Sequence, residues 1–209
     1  IYPLVFAITL AWIFLFINVF NWLDGIDGLA SGIGVIASLT MVLLSFMVGT
    51  PNTALISTVV AGTLLGFLVL NFYPALIFLG GGAHVIGFLI ASIAIISGAK
   101  AGTALLVLSI PILDSVYVVL NRIKRKQSPF VGDKTHLWHR LEATGLSHPQ
   151  VVLVLWGVVG IFALLALLLR GGAKVIAFGF AVLATLLINY LYIKKSILKI
   201  LPQGKTSKQ

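Results

Sequence analysis

Residues 151–169 read Val-Val-Leu-Val-Leu-Trp-Gly-Val-Val-Gly-Ile-Phe-Ala-Leu-Leu-Ala-Leu-Leu-Leu, without a charged side chain and without alternation of polar and apolar positions. A helix of about twenty apolar residues crosses the roughly 30 Å hydrocarbon core of a bilayer, because it rises about 1.5 Å per residue. A transmembrane strand would need alternating polarity instead. This stretch therefore predicts a membrane-spanning helix.

Six further apolar stretches extend this interpretation to the whole chain. The seven predicted spans are residues 3–22, 29–48, 53–72, 84–98, 102–121, 149–169 and 174–193, of which the fourth is the shortest. Of the 209 residues, 60% are hydrophobic and only 9% are charged, whereas soluble domains carry about a quarter charged residues. We therefore predict an all-α, polytopic transmembrane helical bundle that forms one membrane domain over residues 1–209.

The distribution of positive charge indicates the orientation of the bundle. Eleven basic residues fall on one side, namely Arg122, Lys124, Arg125, Lys126, Lys134, Arg140, Lys194, Lys195, Lys199, Lys205 and Lys208, and three fall on the other, namely Lys100, Arg170 and Lys174. The positive-inside rule places the first side in the cytoplasm. All five acids and all four histidines lie at or toward that side. We expect a multi-pass protein of the cell inner (plasma) membrane, with a cytoplasmic active site, a cytoplasmic catalytic loop at 122–148 and a basic tail at 194–209.

Charge and cysteine content exclude several other classes. The net charge of +9 is explained by basic residues beside a membrane, which attract anionic headgroups and phosphates. No nucleic-acid-binding module is recognisable in the sequence, so we expect no nucleic acid partner. Because cysteine is absent, neither a disulfide framework nor a thiolate metal site can form.

A first polar cluster lies where the first span ends. Residues 18–29 read Asn-Val-Phe-Asn-Trp-Leu-Asp-Gly-Ile-Asp-Gly-Leu. The spacing of three keeps Asn18, Asn21 and Asp24 on one side of a helix, and the two glycines allow the helix to end so that Asp27 turns toward the same cavity. Carboxylate and amide oxygens suit Mg²⁺. A capped helix end with solvated acids is the alternative interpretation.

A second cluster begins in the fifth span. Pro111 predicts a kink, and Asp114 is an acid at buried depth, which is by default functional inside a span, with a structural ion pair as the alternative. His136, His139 and Arg140 follow in the cytoplasmic loop, and together they can hold a diphosphate through charge-assisted hydrogen bonds. Farther along, the residue before Pro149 is His148, which we interpret mainly as the structural start of the sixth span.

The motifs in these clusters carry a resemblance. Residues 21–29, 71–75, 111–114, 128–141 and 145–148 resemble, in order and separation, the motifs of the polyprenyl-phosphate N-acetylhexosamine-1-phosphate transferases, glycosyltransferase family 4. The family includes undecaprenyl-phosphate N-acetylglucosamine-1-phosphate transferases and phospho-N-acetylmuramoyl-pentapeptide transferases. The His-x-x-His-Arg-Leu form at 136–141 is more similar to the former branch.

The resemblance implies a reaction and its substrates. A membrane polyprenyl phosphate such as undecaprenyl phosphate would attack the β-phosphate of a UDP-sugar such as UDP-N-acetylglucosamine, release UMP and start a lipid-linked cell-envelope glycan. Mg²⁺ is the implied cofactor, with Mn²⁺ as a substitute, and a homodimer is a further partner to consider. Whether the lipid phosphate attacks directly or an aspartate first forms a covalent intermediate stays open.

The resemblance also implies roles for individual residues. Asn21 would approach the metal, Asp24 would contact the uridine end, and Asp27 would orient or deprotonate at the reacting phosphates. Asp114 joins these two aspartates as a catalytic candidate. The candidate substrate-binding residues are Asn18, Asn71, His136, His139 and Arg140.

Three departures from the family pattern qualify the expectation. Gly81 stands where the family has a Mg²⁺-binding aspartate, and nearby His84 is either recruited to the site or a helix-start residue. Trp138 replaces the middle histidine, either to stack on a substrate ring or to anchor the loop. Family members carry further spans upstream, so we expect a C-terminal part of a longer transferase. A family member that has lost catalysis and serves as a scaffold, and the muramoyl-pentapeptide branch, are the alternative functions.

Overall fold

The computed structural model describes residues 2–96, 101–128 and 135–200. Within these ranges it contains nine helices and no strand: α1 (Tyr2–Leu23), α2 (Leu29–Met47), α3 (Pro51–Asn71), α4 (Gly82–Ile96), α5 (Ala101–Val107), α6 (Ser109–Lys124), α7 (Leu137–Glu142), α8 (His148–Leu168) and α9 (Gly172–Ile200). The predicted all-α bundle is confirmed. The middle of the predicted catalytic loop, 129–134, and the end of the predicted basic tail, 201–209, lie outside the described residues.

Helices occur at all seven predicted spans, but they are not uniform. Within the described ranges, α1, α2, α3 and α8 are long and apolar enough to cross a membrane, and α5 with α6 supplies a fifth span if the pair is counted as one. α4 has 15 residues, and the apolar part of α9, 172–187, is also shorter than a full span. The fourth predicted span is short, as expected, and the seventh is also short, so four to five of the predicted spans have membrane-crossing length in this multi-pass helical membrane protein.

The fifth predicted span contains the kink expected near Pro111, and the bend there divides it into two helices. α5 and α6 meet at Leu108 at an angle of 72°. The break lies near Pro111, which has no N–H to donate to the carbonyl of Val107 and whose ring would collide with that carbonyl in a continuous helix. α6 therefore runs in a new direction, and this direction carries Asp114 toward the residues that follow α6.

The core of the bundle forms around α2. Its side chains are mostly buried, and α1, α3, α4, α5 and α8 all contact it. Two hydroxyls of α2 form local hydrogen bonds: Ser45 and Thr40 donate to the carbonyls of Met41 and Ile36, four residues earlier, at 2.5 and 2.7 Å. Such bonds let a polar side chain occupy an apolar helix.

Three connecting segments meet at one end of the bundle. They are the turn 24–28 between α1 and α2, the segment 72–81 between α3 and α4, and the residues 135–148 that include α7. Hydrogen bonds join the first segment to both of the others. These three segments, with α6 beside them, form the candidate active site.

Candidate active site

The turn 24–28 redirects the chain after α1. The amide of Asp24 still donates to the carbonyl of Phe20, at 3.1 Å, so the helical pattern continues to this residue. Gly28 then adopts a φ of +79°, a conformation that side chains other than glycine rarely tolerate. The predicted end of the helix before Asp27 is therefore confirmed: α1 ends at Leu23, and Asp27 lies outside the helix.

Asp24 and Asp27 lie half-buried beside one another and receive backbone hydrogen bonds from the segment 72–81. The amide of Ala75 donates to Oδ2 of Asp27 at 3.1 Å, and the amide of Gly80 donates to the carboxylate of Asp24. The pKa of Asp24 is raised to about 6 overall: burial is the largest cause and the charge of Asp27 adds to it, while the Gly80 amide and His84 oppose the increase. The structure thus brings the two predicted acids of the first cluster together.

Asn71 holds the segment that supplies these amides. Its side chain accepts a hydrogen bond from the hydroxyl of Ser31 at 2.6 Å and donates to the carbonyl of Ile77 at 3.0 Å. Only 2% of Asn71 is exposed. These contacts favour a positioning role, in which Asn71 fixes the segment 72–81, over the direct nucleotide contact that the sequence suggested.

Asp114 is the central acceptor of the second cluster. Its Oδ2 lies 3.0 Å from Nδ1 of His136, both of its oxygens lie 3.0 Å from the amide of Leu137, and Oδ1 pairs with the guanidinium of Arg140. Asp114 is only 6% exposed. The carboxylate therefore ties α6 to the start of α7, which favours positioning over contact with a substrate.

Arg140 is also directed into the protein. Its guanidinium donates to Asn189 of α9 as well as to Asp114, and it lies 5.3 Å from the ring centre of Tyr117. Arg140 is 5% exposed, and the neighbouring His136 is 7% exposed. Of the predicted group of three, His136 and Arg140 have side-chain nitrogens directed to Asp114 rather than toward solvent, whereas His139 lies beside Glu142.

Asn189 was missed in the sequence analysis, although a signal for it exists. It is a polar residue within a long apolar helix, and its side-chain amide also donates to the carbonyl of Thr185, at 2.7 Å. Asn189 is 3% exposed. A polar group at such depth needs a partner, and the order of helices alone does not identify Arg140 as that partner.

Trp138 takes the anchoring role of its two predicted roles. Its side chain is turned inward and 9% exposed, and a Cβ added at Gly25 would lie 2.5 Å from Cζ2 of its ring. The ring also stacks on His139, with centroids 3.4 Å apart. Trp138 therefore connects α7 to the turn 24–28, and only a glycine at position 25 leaves room for this contact.

Glu142 and His148 form a further link to the first cluster. Oε1 of Glu142 lies 3.0 Å from Nδ1 of His148, and Oε2 lies 3.6 Å from Nδ1 of His139. Nε2 of His148 accepts a hydrogen bond from the amide of Asp27 at 3.3 Å. The interpretation of His148 as the start of the sixth span is confirmed, since α8 begins there, but its contact with Asp27 was not expected.

Asn18 and Asn21 lie at the surface of α1, about two turns and one turn before Asp24. The side-chain amide of Asn18 donates to the carbonyl of Phe14 at 2.7 Å, and Asn21 is exposed. Asn18 also lines an apolar groove between α1 and α6 with a volume of about 420 Å³. The groove extends to Trp22, whose ring centre lies 6.1 Å from that of His136.

Gly81 and His84 lie at the edge of the site. Gly81 is exposed, and a Cβ added there would have no heavy atom within 4 Å, so an aspartate would fit. His84 lies in the first turn of α4 and is near enough to Asp24 to influence its charge. Within the described ranges, no three His, Asp or Glu side chains are grouped to hold a metal ion. Two neighbouring carboxylates nevertheless fit a Mg²⁺ ion that completes its coordination with waters and substrate phosphates.

The fold and the site together define a multi-pass membrane protein with paired acids at one end of a helical bundle. The chain belongs to glycosyl transferase family 4, whose pattern matches residues 1–98. It is 36% identical over 172 residues to a Bacillus subtilis protein named "Probable undecaprenyl-phosphate N-acetylglucosaminyl 1-phosphate transferase", covering 79% of this chain and 48% of the relative.

Two further relatives extend the comparison. A decaprenyl-phosphate N-acetylglucosaminephosphotransferase of Mycobacterium tuberculosis is 36% identical over 184 residues, covering 75% of this chain and 45% of the relative. A phospho-N-acetylmuramoyl-pentapeptide-transferase of Shouchella clausii is 33% identical over 171 residues, covering 77% of this chain and 52% of the relative. The chain thus spans about half the length of the curated relatives it matches.

Proposed function

We propose that the full-length protein transfers a sugar-1-phosphate, N-acetylglucosamine-1-phosphate in our primary assignment, from a UDP-sugar to a polyprenyl phosphate such as undecaprenyl phosphate. UMP is the second product, and the lipid-linked sugar diphosphate starts a cell-envelope glycan. The observation that carries the proposal is the apolar groove between α1 and α6. The groove reaches Trp22, which lies beside His136. Trp22 is on α1, the helix that leads into the paired acids Asp24 and Asp27. The relatives' names support both the lipid and the sugar.

The groove is suited to the isoprenoid chain of the lipid substrate. Its lining consists almost entirely of apolar side chains, including Phe14, Trp22, Val119 and Leu120. An isoprenoid chain in this groove would remain in apolar surroundings while its phosphate reaches the end of α1. Holding one substrate in this way turns a bimolecular encounter into an oriented reaction.

Asp24 and Asp27 are suited to charge control at the reacting phosphates. Phosphoryl transfer asks little covalent chemistry of a protein and depends mainly on positioning and on neutralising charge. The backbone amides of Ala75 and Gly80 orient the two carboxylates. Asp27 would orient or deprotonate the attacking phosphate, and Asp24 would lie toward the nucleotide.

We propose Mg²⁺ as the cofactor, with Mn²⁺ as a substitute, held by Asp24, Asp27 and the amide of Asn21. The ion would supply positive charge to the diphosphate of the sugar nucleotide. Because position 81 is a glycine instead of the aspartate of the family pattern, this donor set has one carboxylate fewer. Waters and substrate phosphates would therefore provide most of the coordination.

The same glycine supports a second candidate function. A family member with weakened metal binding can lose catalysis and act as a membrane scaffold for other glycan enzymes. We place the protein in the cell inner (plasma) membrane with the site facing the cytoplasm, because eleven of fourteen basic residues fall on that side by the predicted topology. A homodimer and the muramoyl-pentapeptide substrate stay predictions to test.

The test is Mg²⁺-dependent release of UMP by membranes that carry the full-length protein. UDP-N-acetylglucosamine is supplied with or without undecaprenyl phosphate, and UDP-N-acetylmuramoyl-pentapeptide is supplied in a parallel reaction. We expect lipid-dependent release from the first nucleotide. Release only from the second would assign the protein to the other branch, and no release beside an active relative would favour the scaffold.

A further inference from the structure

The turn 24–28 depends on external contacts for its conformation. It connects α1 to α2 with two glycines among five residues, and glycine allows more backbone conformations than any other residue. Within the described part of the chain, the amide of Ala75 donates a hydrogen bond to the carboxylate of Asp27, and Nε2 of His148 accepts one from the Asp27 amide. One contact therefore orients the side chain, and the other fixes the backbone that carries it.

The hydrogen bonds of His148 define its tautomer. Nε2 accepts from the amide of Asp27, so this nitrogen carries no proton in the neutral ring, and Nδ1–H donates to Oε1 of Glu142 at 3.0 Å. A carboxylate behind an imidazole fixes both the tautomer and the direction of the ring. Glu142 therefore keeps His148 as an acceptor toward Asp27.

The position of His148 is fixed from further directions. It is the first residue of α8, whose N-terminus is capped by a capping box of Ser147 and Gln150. The amide of Ser147 donates to Oε1 of Gln150 at 2.8 Å. The ring of Tyr73 lies 5.1 Å from the ring of His148. The side chain of His148 is 29% exposed, so it lies at the rim of the site and not in the apolar core.

We propose that His148, oriented by Glu142, is a positioning residue that fixes the Asp27 peptide and thereby aims the Asp27 carboxylate at the reacting phosphates. This inference rests on the proposed transferase function. His148 acts through Asp27 and does not contact substrate. Its loss should therefore lower kcat, because misorientation raises the barrier of the chemical step, while the KM for the UDP-sugar changes little.

Two substitutions of His148 separate positioning from general stability. The side-chain amide of His148→Gln reaches the former position of Nε2, so its oxygen can still accept from Asp27. The amide of His148→Asn reaches only the position of Nδ1, so it keeps Glu142 and loses Asp27. We expect kcat to fall about 10-fold to 100-fold in His148→Asn, in the range typical of residues that orient others, and much less in His148→Gln. Glu142→Leu should resemble His148→Asn.

A second measurement does not require activity. Amide hydrogen exchange, measured by mass spectrometry on the purified full-length protein, should be faster in the peptide containing residues 24–28 for His148→Asn and unchanged for His148→Gln. If the wild type releases no UMP, the proposed function fails, while the exchange pattern still tests the contact. The proposal would be overturned if His148→Asn and His148→Gln had the same kcat and the same exchange rate. It would also be overturned if both variants lost thermal stability and kcat to the same extent.

Discussion

The two acidic clusters of the molecule differ in how their carboxylates are used. Asp114 is 6% exposed, and its oxygens contact His136, Leu137 and Arg140. Asp24 and Asp27 are half-buried, and the described contacts to each carboxylate come from a single backbone amide. The Asp114 carboxylate is therefore used to join α6 to α7, whereas the other two acids retain lone pairs for a ligand.

This difference shows that the type of residue does not define its role. Both clusters contain carboxylates within or directly after apolar helices: Asp114 lies in α6, and Asp24 and Asp27 follow α1. Burial and partners separate them: a buried charge must be paired within the protein, while a half-exposed carboxylate can exchange water for a metal ion or a phosphate donor. The second cluster supports α7, and α7 in turn contacts the first cluster through Trp138.

The largest effect is expected for Asp27→Asn. In the proposed reaction, this change removes the negative charge and proton acceptor at the reacting phosphates but keeps the size of the side chain, so the rate should fall about 1,000-fold, within the range for acid–base groups. UMP release at saturating substrate measures the loss. Thermal stability in detergent should be nearly unchanged, and a wild-type rate would remove Asp27 from the mechanism.

The second prediction concerns stability rather than chemistry. Asp114→Leu leaves the buried guanidinium of Arg140 without its carboxylate, and we expect a loss of about 3 kcal/mol in the free energy of unfolding. The double change Asp114→Leu with Arg140→Met should recover much of the loss, because the buried charge is removed as well. Denaturation in detergent measures both. An equally stable single variant would contradict the supporting role of Asp114.

The third prediction tests the connection between the clusters. Gly25→Ala places a Cβ 2.5 Å from the ring of Trp138, and we expect a loss of about 1 to 3 kcal/mol from the overpacked contact. Gly62→Ala is the matched control, since a Cβ there meets no heavy atom within 4 Å. Thermal unfolding compares the two. If both variants melt alike, Trp138 does not press on the turn.

The fourth prediction concerns the proposed metal site. Gly81→Asp introduces a carboxylate where space is open, so it should raise the affinity for Mg²⁺ about tenfold, equivalent to about 1.4 kcal/mol. Titration with Mn²⁺, followed by electron paramagnetic resonance, measures binding without turnover. Gly81→Asn is the matched control because it adds nearly the same volume without the charge. Equal affinity in the wild type and both variants would mean that Gly81 does not limit metal binding.

The smallest effect is expected for Asp24→Asn, whose stability relative to the wild type should depend on pH. Burial raises the pKa of Asp24 to about 6 in the folded protein from 3.8, so the wild type loses stability as pH rises from 4 through 6 and the carboxyl ionises. The asparagine variant avoids this loss. It should be more stable than the wild type by about 1 kcal/mol at pH 7.5, after allowance for partial exposure.

The control for this prediction is the same comparison in acid. At pH 4 the carboxyl of Asp24 is protonated in the folded protein and resembles an amide, so the two proteins should unfold at nearly the same temperature. An advantage of the variant that persists at pH 4 would contradict the assignment of the pKa to Asp24.

Much of the fold was predictable from hydrophobicity, and the exceptions have physical causes. Apolar stretches of about twenty residues located the helices, and the glycines around Asp27 indicated the end of α1. Pro111 indicated a kink but not the 72° bend at Leu108, because the proline interrupts hydrogen bonding while neighbouring helices determine the new direction. Sequence reports the break but not the angle.

The site was predictable as a set of residues but not as a set of contacts. Motif spacing identified Asp24, Asp27 and His136 and placed them at one end of the bundle. It did not indicate that the Arg140 guanidinium points inward to Asn189, or that His148 reaches the amide of Asp27. Both contacts join residues far apart in the chain, so they depend on packing between helices that local patterns do not encode.

The most direct test of the account is mass-spectrometric detection of the lipid product. Purified full-length protein is incubated with UDP-N-acetylglucosamine, undecaprenyl phosphate and Mg²⁺, and the wild type is compared with Asp27→Asn. If the protein is the proposed transferase, undecaprenyl diphospho-N-acetylglucosamine accumulates with the wild type and stays at background with the variant. Equal accumulation with both proteins, or none with the wild type beside an active relative, would contradict it.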